Sequence, residues 1–314
     1  MTLTSAPSGP VRTVLVTGAG GFVGSQIALD LARAGFDVVA TDQTFDTPTL
    51  ARLANLHRIE APLAKALPDI AGLHPHAVVH GAAITAGPVS LGISAAAHLR
   101  LNMDMLTLCL DWARSKGASN FVFLSSTGVF APEDGDHSLT EQSPTSARGP
   151  YSAAKKAGEI VTQGAAENGF ATLSLRLGNL FGPHEAQRPT RPFVGLLARM
   201  VAGALSGVIP VESPGVVRDW TWLPDIGLAI AALLDDFPSG DTPILHCGNT
   251  QAISDHDLAK GIAAHFPGAR IAVAEGSAQS KAPMGRAVTS VLTTFDWTPL
   301  PQALAEMLAE RGAA

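Results

Sequence analysis

Tyr151 is the only tyrosine of the chain, and Lys155 follows it four positions later. At the start of a predicted helix that spacing puts both side chains on one face, about one turn apart. An ammonium beside a phenol favours the phenolate and draws a pKa near 10 toward the working range. Such a phenolate takes a hydroxyl proton while hydride leaves the same carbon. Upstream, Ser125-Ser126-Thr127 closes an apolar stretch that reads as a strand. Its hydroxyls would project from the carboxyl edge, where open α/β sheets bind ligands. Thr127 is placed to hold a substrate hydroxyl or the developing carbonyl. Ser125 and Ser126 are its rivals, since strand-end hydroxyls also serve loop backbone.

The second chemical feature is Gly18-Ala19-Gly20-Gly21-Phe22-Val23-Gly24, which follows the first apolar run and opens a helix. Backbone N–H groups and the helix dipole can there face a pyrophosphate, and the glycines let the backbone approach it. The second strand ends in Asp42, at the distance where a carboxylate accepts from an adenosine ribose diol. That carboxylate repels the extra phosphate of NADP, and neither Arg nor Lys stands among Gln43, Thr44 and Phe45. The expected cofactor is therefore NAD. Its contacts are expected from Gly18, Gly21, Phe22, Val23, Gly24, Asp42 and Gln43.

Repeated strand and helix units must position these groups. Strands are expected at Val11 to Thr17, Asp37 to Thr41, Ala77 to His80, Asn120 to Ser125 and Ala171 to Leu175. Helices are expected at Gln26 to Ala34, Leu99 to Ser115 and Ser152 to Glu167. This alternation implies an α/β fold with a doubly wound parallel, Rossmann-type sheet. Beyond Arg176 the pattern loosens, with Pro183, Pro189, Pro192, Pro210 and Pro214 before a helical run from Ile226 to Leu234. That reads as a smaller, interleaved C-terminal substrate-binding region. The division expected is a disordered arm at 1–10, a cofactor domain at 11–176 plus about 226–247, and a substrate region at 177–225 plus 248–314.

The chain has 314 residues, 46% of them hydrophobic and 15% charged, enough to bury a large core. A net charge of −6 with no Lys/Arg cluster argues against nucleic acid and for a small molecule. No apolar stretch approaches the roughly 20 residues of a spanning helix, and the first ten residues lack signal-peptide blocks, so a cytoplasmic setting is expected. Cys109 and Cys247 are the only cysteines and read as small core residues. His74, His76 and His80 lack the further ligands of a metal set.

At this point the chain resembles the extended short-chain dehydrogenase/reductase family, in its NAD-dependent epimerase/dehydratase branch. Gly18-x-x-Gly21-x-x-Gly24 is similar to that family's cofactor turn, and His80-Gly81-Ala82-Ala83 to the segment lining the nicotinamide ribose. The resemblance implies a tetrad of Asn102, Thr127, Tyr151 and Lys155, with Thr127 as the working hydroxyl. It adds Gly81, Ala82, Ala83, Asn102, Tyr151, Lys155 and Gly178 as cofactor contacts. Substrate contacts are expected at Thr85, Thr127, Tyr151, Asn179 and Arg218. Asn179 lies in Leu175-Arg176-Leu177-Gly178-Asn179, and Arg218 in Arg218-Asp219-Trp220, whose arginine often meets a nucleotide-sugar diphosphate in the family. His246-Cys247-Gly248-Asn249 and Asp296-Trp297-x-Pro299 are further landmarks.

The family implies hydride transfer at a carbinol carbon of a sugar or nucleotide sugar, either as an epimerase or as a net dehydrogenase. A helix around Tyr151 with Ala153, Ala154, Ala157 and Gly158 further suggests a homodimer. Three departures modify this. Arg58-Ile59-Glu60-Ala61-Pro62 lacks the usual Gly-Asp adenine contact. Val211-Glu212-Ser213-Pro214-Gly215 replaces a glycine-rich approach to Arg218, which shifts weight toward a free sugar or sugar acid. Gly128 stands where dehydratases of the branch carry an acidic residue, which disfavours elimination. A regulator that senses NAD without turnover would need neither Tyr151 nor Lys155.

Overall fold

Short apolar runs alternate with amphipathic helices through the first two thirds of the chain, and each run becomes a strand buried on both faces. The computed structural model describes residues 12–188, 193–238, 244–274 and 280–310. The arm at 1–10, Val11, Pro189 and Pro192 lie outside the described residues. The elements begin β1 (Thr13–Thr17), α1 (Phe22–Arg33), β2 (Asp37–Asp42), α2 (Thr47–Arg52), β3 (His57–Glu60), α3 (Leu63–Asp69) and β4 (Ala77–His80). They continue with α4 (Ala95–Ser115), β5 (Asn120–Ser126), α5 (Pro150–Gly164), β6 (Ala171–Leu177) and β7 (Asn179–Phe181). Then come α6 (Leu196–Leu205), β8 (Val208–Val211), β9 (Val217–Trp222), α7 (Leu223–Asp235) and β10 (Ile244–Cys247). The described chain closes with β11 (Ala252–Ser254), α8 (Asp255–Ala263), β12 (Arg270–Val273) and α9 (Leu300–Glu310).

Seven strands form the central sheet in the order β10-β6-β5-β4-β1-β2-β3, every pairing parallel. Strand order reverses between β1 and β4, which opens a crevice at their carboxyl ends. Register brings Thr17 opposite both Thr41 and His80, so the ends of β1, β2 and β4 are level there. On one face Ile27 and Leu31 of α1 share a core with Ile226 and Ile230 of α7. On the other, Leu106, Cys109 and Leu110 of α4 pack with Phe121 and Phe123 of β5.

Several boundaries differ from those the sequence suggests. Helix α1 starts at Phe22 rather than Gln26, because Gly21 is its N-cap and the glycine turn is already its first turn. Helix α4 starts at Ala95 rather than Leu99, where Ser94 accepts the Ala97 N–H at 3.1 Å. Helix α5 runs from Pro150 to Gly164 rather than from Ser152 to Glu167, with Pro150 in its first turn. Strand β3 is an additional element. It lies at the sheet edge, half-exposed, and carries no apolar run to betray it.

The remaining elements form a second layer system. Strands β11, β9 and β7 make one small sheet, and β12 pairs with β8. Their core joins Leu197 and Met200 of α6, Trp220 and Trp222 of β9, Leu258 of α8 and Leu304 of α9. Strand β10 returns to the large sheet beside β6. The chain therefore crosses between the two systems at β6–β7, at β9–α7 and at β10–β11.

Candidate active site

The glycine turn packs too tightly for side chains. Gly18 adopts φ +73°, and a Cβ there would lie 2.6 Å from the Ala82 nitrogen. The Gly21 N–H donates to the Gly18 carbonyl at 3.0 Å, closing the turn. Helix α1 has no side-chain cap bond and no acidic residue in its first turn, so the positive end of its dipole favours an anion there. Gly20, which the spacing did not single out, donates its N–H to Asp42 Oδ2 at 2.9 Å. Burial raises the Asp42 carboxyl above its ordinary value, while the backbone N–H groups of Gly20, Gln43 and Thr44 and the charge of Arg188 oppose that rise. These features fit a dinucleotide: a diphosphate at the helix end and a ribose at Asp42.

Segment 80–85 leaves β4 beside this turn. The Ala82 N–H donates to Thr17 Oγ1 at 3.2 Å, and the Ile84 N–H to Asn102 Oδ1 at 2.9 Å. Asn102, whose amide in turn donates to the His98 carbonyl, thus shapes the loop carrying Gly81, Ala82 and Ala83. Thr85, at its outer end, is exposed. His80 is fully buried between Phe121 and Phe123, with Nδ1 2.9 Å from Thr17 Oγ1. Burial, then the charge of Lys155, pushes its pKa down to about 3, so the ring is neutral. A cavity of about 10 Å³, water-sized, is lined by His80, Asn102, Phe123, Tyr151 and Lys155 among others.

Three hydroxyls end β5, and each has a different neighbour. Ser125 donates to Glu159 Oε1 at 2.6 Å, and Ser126 Oγ accepts the Gly128 N–H at 3.0 Å. Thr127, buried, begins the turn beyond the strand. Tyr151 and Lys155 stand on α5, with the Lys155 ammonium 5.8 Å from the Tyr151 ring centre and 4.8 Å from that of Phe123. Lys155 Nζ donates to the Leu124 carbonyl at 2.6 Å. Burial pushes the Lys155 pKa down to about 8, and Glu159, one turn further along α5, opposes the fall. A Cβ at Gly128 would lie 3.2 Å from Tyr151 Cε1, so the ring packs directly over that glycine.

Sequence reasoning missed the charged layer beneath. Glu159 receives Arg176 through Nε at 2.8 Å and Nη2 at 2.9 Å, both side chains buried. Arg176 also reaches the Glu141 carbonyl at 3.1 Å. It missed Arg188 too, which donates to the Gly20 carbonyl, reaches Thr49 Oγ1 at 3.0 Å and pairs with Asp46 at 2.9 Å. On the substrate side, Gly178 and the Asn179 N–H lie against Asp219, the latter at 3.2 Å. Arg218 is clasped by Asp255 at 2.8 and 3.2 Å.

A model of the NAD dependent epimerase/dehydratase family matches residues 14–248, which span β1 to the end of β10. The chain belongs to this family. It is an enzyme of the extended short-chain dehydrogenase/reductase type, and NAD is the family's cofactor. A dTDP-glucose 4,6-dehydratase from Streptomyces niveus is 27% identical over 268 residues, covering 79% of this chain and 76% of the relative. A dTDP-4-dehydro-6-deoxy-D-allose reductase from Streptomyces bikiniensis is 28% identical, with 81% of each chain covered. The solved structure of MoeE5 in complex with UDP-glucose and NAD superposes with a TM-score of 0.76 at 25% identity, covering 96% of this epimerase/dehydratase-family chain and 100% of that one. Among the described residues no helix is long and apolar enough to cross a membrane.

Proposed function

We propose that this enzyme oxidises a carbinol carbon of a sugar or nucleotide sugar, with Tyr151 as the base. The observation that carries the reading is Tyr151 and the buried Lys155 ammonium side by side at the carboxyl edge, around one cavity with Asn102. Gly18, Gly21, Phe22, Val23 and Gly24 would hold the diphosphate of NAD, Asp42 and Gln43 the adenosine ribose, and Gly81, Ala82, Ala83, Lys155 and Gly178 its far half. Bound NAD supplies the hydride acceptor. Thr127 and Tyr151 hold the substrate hydroxyl, and the Tyr151 phenolate takes its proton. The Lys155 ammonium stabilises that phenolate by charge. Asn102 keeps the adjoining loop in shape through its bond to Ile84. Ser125 and Ser126 are engaged elsewhere, which favours Thr127 as the working hydroxyl.

Return of the hydride to the opposite face of the carbonyl makes the enzyme an epimerase, and release of reduced cofactor makes it a dehydrogenase. Gly128, packed under Tyr151, provides no acid at that position, which disfavours elimination. Residues 12–176 with α7 and β10 form the cofactor domain in this reading, and the elements around β9 form the substrate region. Exposed Leu101 and Leu108 on α4 and Ile160 on α5 favour a homodimer through these helices, testable by light scattering. Two buried, unpaired cysteines suit a reducing, cytoplasmic setting. Incubation with NAD and panels of nucleotide sugars, free sugars and sugar acids, followed at the absorbance of reduced cofactor and by product analysis, tests the reading. No conversion of any of them would overturn it.

A further inference from the structure

Lys281 is a cation that the reaction above does not use. It stands on a strap of chain, residues 280–285, that backbone bonds fix across the site. The Leu139 N–H donates to Pro283 at 2.9 Å and the Gly285 N–H to Leu139 at 2.7 Å. The Met284 N–H donates to Asp219 Oδ1 at 3.1 Å. From this strap the Lys281 ammonium reaches the carbonyl of Thr127 itself. The ammonium therefore stands against the backbone of the residue whose hydroxyl is assigned to the substrate.

The charges around Lys281 do not cancel it by direct pairing. Both Asp219 oxygens accept backbone N–H groups, from Met284 and Asn179, so Asp219 acts on Lys281 through its charge. Burial pushes the Lys281 pKa down to about 8, with Asp219 opposing that fall and Arg218 adding to it. The Thr127 carbonyl engages one of three ammonium donors. Arg218 is itself clasped by Asp255, so the two remaining ammonium donors of Lys281, rather than an uncancelled charge, are what a substrate anion can take.

We infer that Lys281 binds a carboxylate of the substrate, one or two carbons from the reacting carbinol, so that the substrate is a sugar acid or uronate. The position decides between anions. A diphosphate on the anomeric carbon lies a sugar ring's width from a carbinol across that ring, whereas Lys281 touches the very residue that holds the carbinol. The carboxylate belongs either to a free acid or to the sugar of a nucleotide-linked uronate. This rests on the proposed site around Tyr151 and Thr127.

The test uses the full-length enzyme with NAD and three matched pairs: D-gluconate against D-gluconamide, D-glucuronate against D-glucose, and UDP-glucuronate against UDP-glucose. Rates are measured on the wild type, and affinities by calorimetry on Tyr151→Phe. A charge-assisted bond predicts about 10- to 100-fold preference for the acid of at least one pair. Which pair shows it separates the free from the nucleotide-linked source. Lys281→Met abolishes the preference and Lys281→Arg restores most of it, with NAD affinity unchanged in both. Equal affinity for acid and neutral partner in every pair overturns the inference, as does a preference that survives Lys281→Met, or no binding of any acid. A Lys281 that only pins the strap would lower the melting temperature of Lys281→Met and leave the preference intact. Failure of the wider reading is distinct, because it appears as wild-type turnover by Tyr151→Phe.

Discussion

Replacing Glu159 by Gln tests whether the charged layer beneath α5 sets the protonation of Lys155. Glu159 and Lys155 are four apart on one helix, with Cβ atoms about 5–6 Å apart. At an effective dielectric constant near 20, two unit charges at that range interact by roughly 3 kcal/mol, or about two pH units. The Lys155 pKa is already held down to about 8 by burial, with Glu159 opposing. Without the carboxylate it should fall further, by at most that amount. The reaction needs the ammonium form, so kcat/KM declines as pH rises through this value, and the alkaline limb in Glu159→Gln moves to lower pH. The variant also leaves the buried Arg176 guanidinium without its ion pair, at a cost of about 3 kcal/mol of stability. Rate profiles from pH 5 to 10, paired with NAD titrations and thermal melts, read both effects. An alkaline limb that stays in place while the melt falls would refute the electrostatic link and leave Glu159 a purely structural partner of Arg176.

Three further outcomes follow from the same geometry. Gly128→Asp sets a side chain against the Tyr151 ring, where a Cβ would already lie 3.2 Å from Cε1; a displacement of several tenths of an ångström should cost about 10-fold in kcat with NAD affinity intact, and an unchanged kcat would count against Tyr151. Arg188→Ala frees the Gly20 turn and the loop at Asp46, so the NAD dissociation constant should rise several-fold while the substrate KM moves little. Asp30, buried on α1, has its pKa raised from 3.8 to about 6, chiefly by burial against the bonds from Gln26 and Arg33. The folded chain therefore holds this proton more tightly than the unfolded one, and stability present below about pH 4 declines by about 3 kcal/mol as pH rises through 6. Asp30→Asn should flatten that part of a stability-versus-pH curve.

The sheet was legible because its interior strands are apolar runs with glycine turns, and helix α5 because Tyr151 and Lys155 mark it. The edge strand β3 was not, since half-exposed His57-Arg58-Ile59-Glu60 alternates too weakly to declare itself. Glycine spacing located the cofactor turn but not the donor role of Gly20, which depends on where β2 ends in space. Glu159 had a signal in its four-residue spacing from Lys155, whereas its partner Arg176 comes from another strand and could not be paired by spacing. Arg188 and Lys281 lie in proline-punctuated segments without periodicity, and only the folded chain brings them to Gly20 and Thr127. Arg218 was legible as a cation of the substrate side, but its clasp by Asp255 was not.

In the proposed reaction Tyr151 moves the proton while Lys155 sustains its charge. The most direct measurement compares Tyr151→Phe with the wild type in two readouts, turnover of a substrate found in the panel and NAD affinity by fluorescence titration. Turnover should fall by at least about 100-fold, the usual worth of a general base, while the NAD dissociation constant stays within a few-fold because the aromatic ring remains. Turnover at the wild-type rate in Tyr151→Phe would contradict that role.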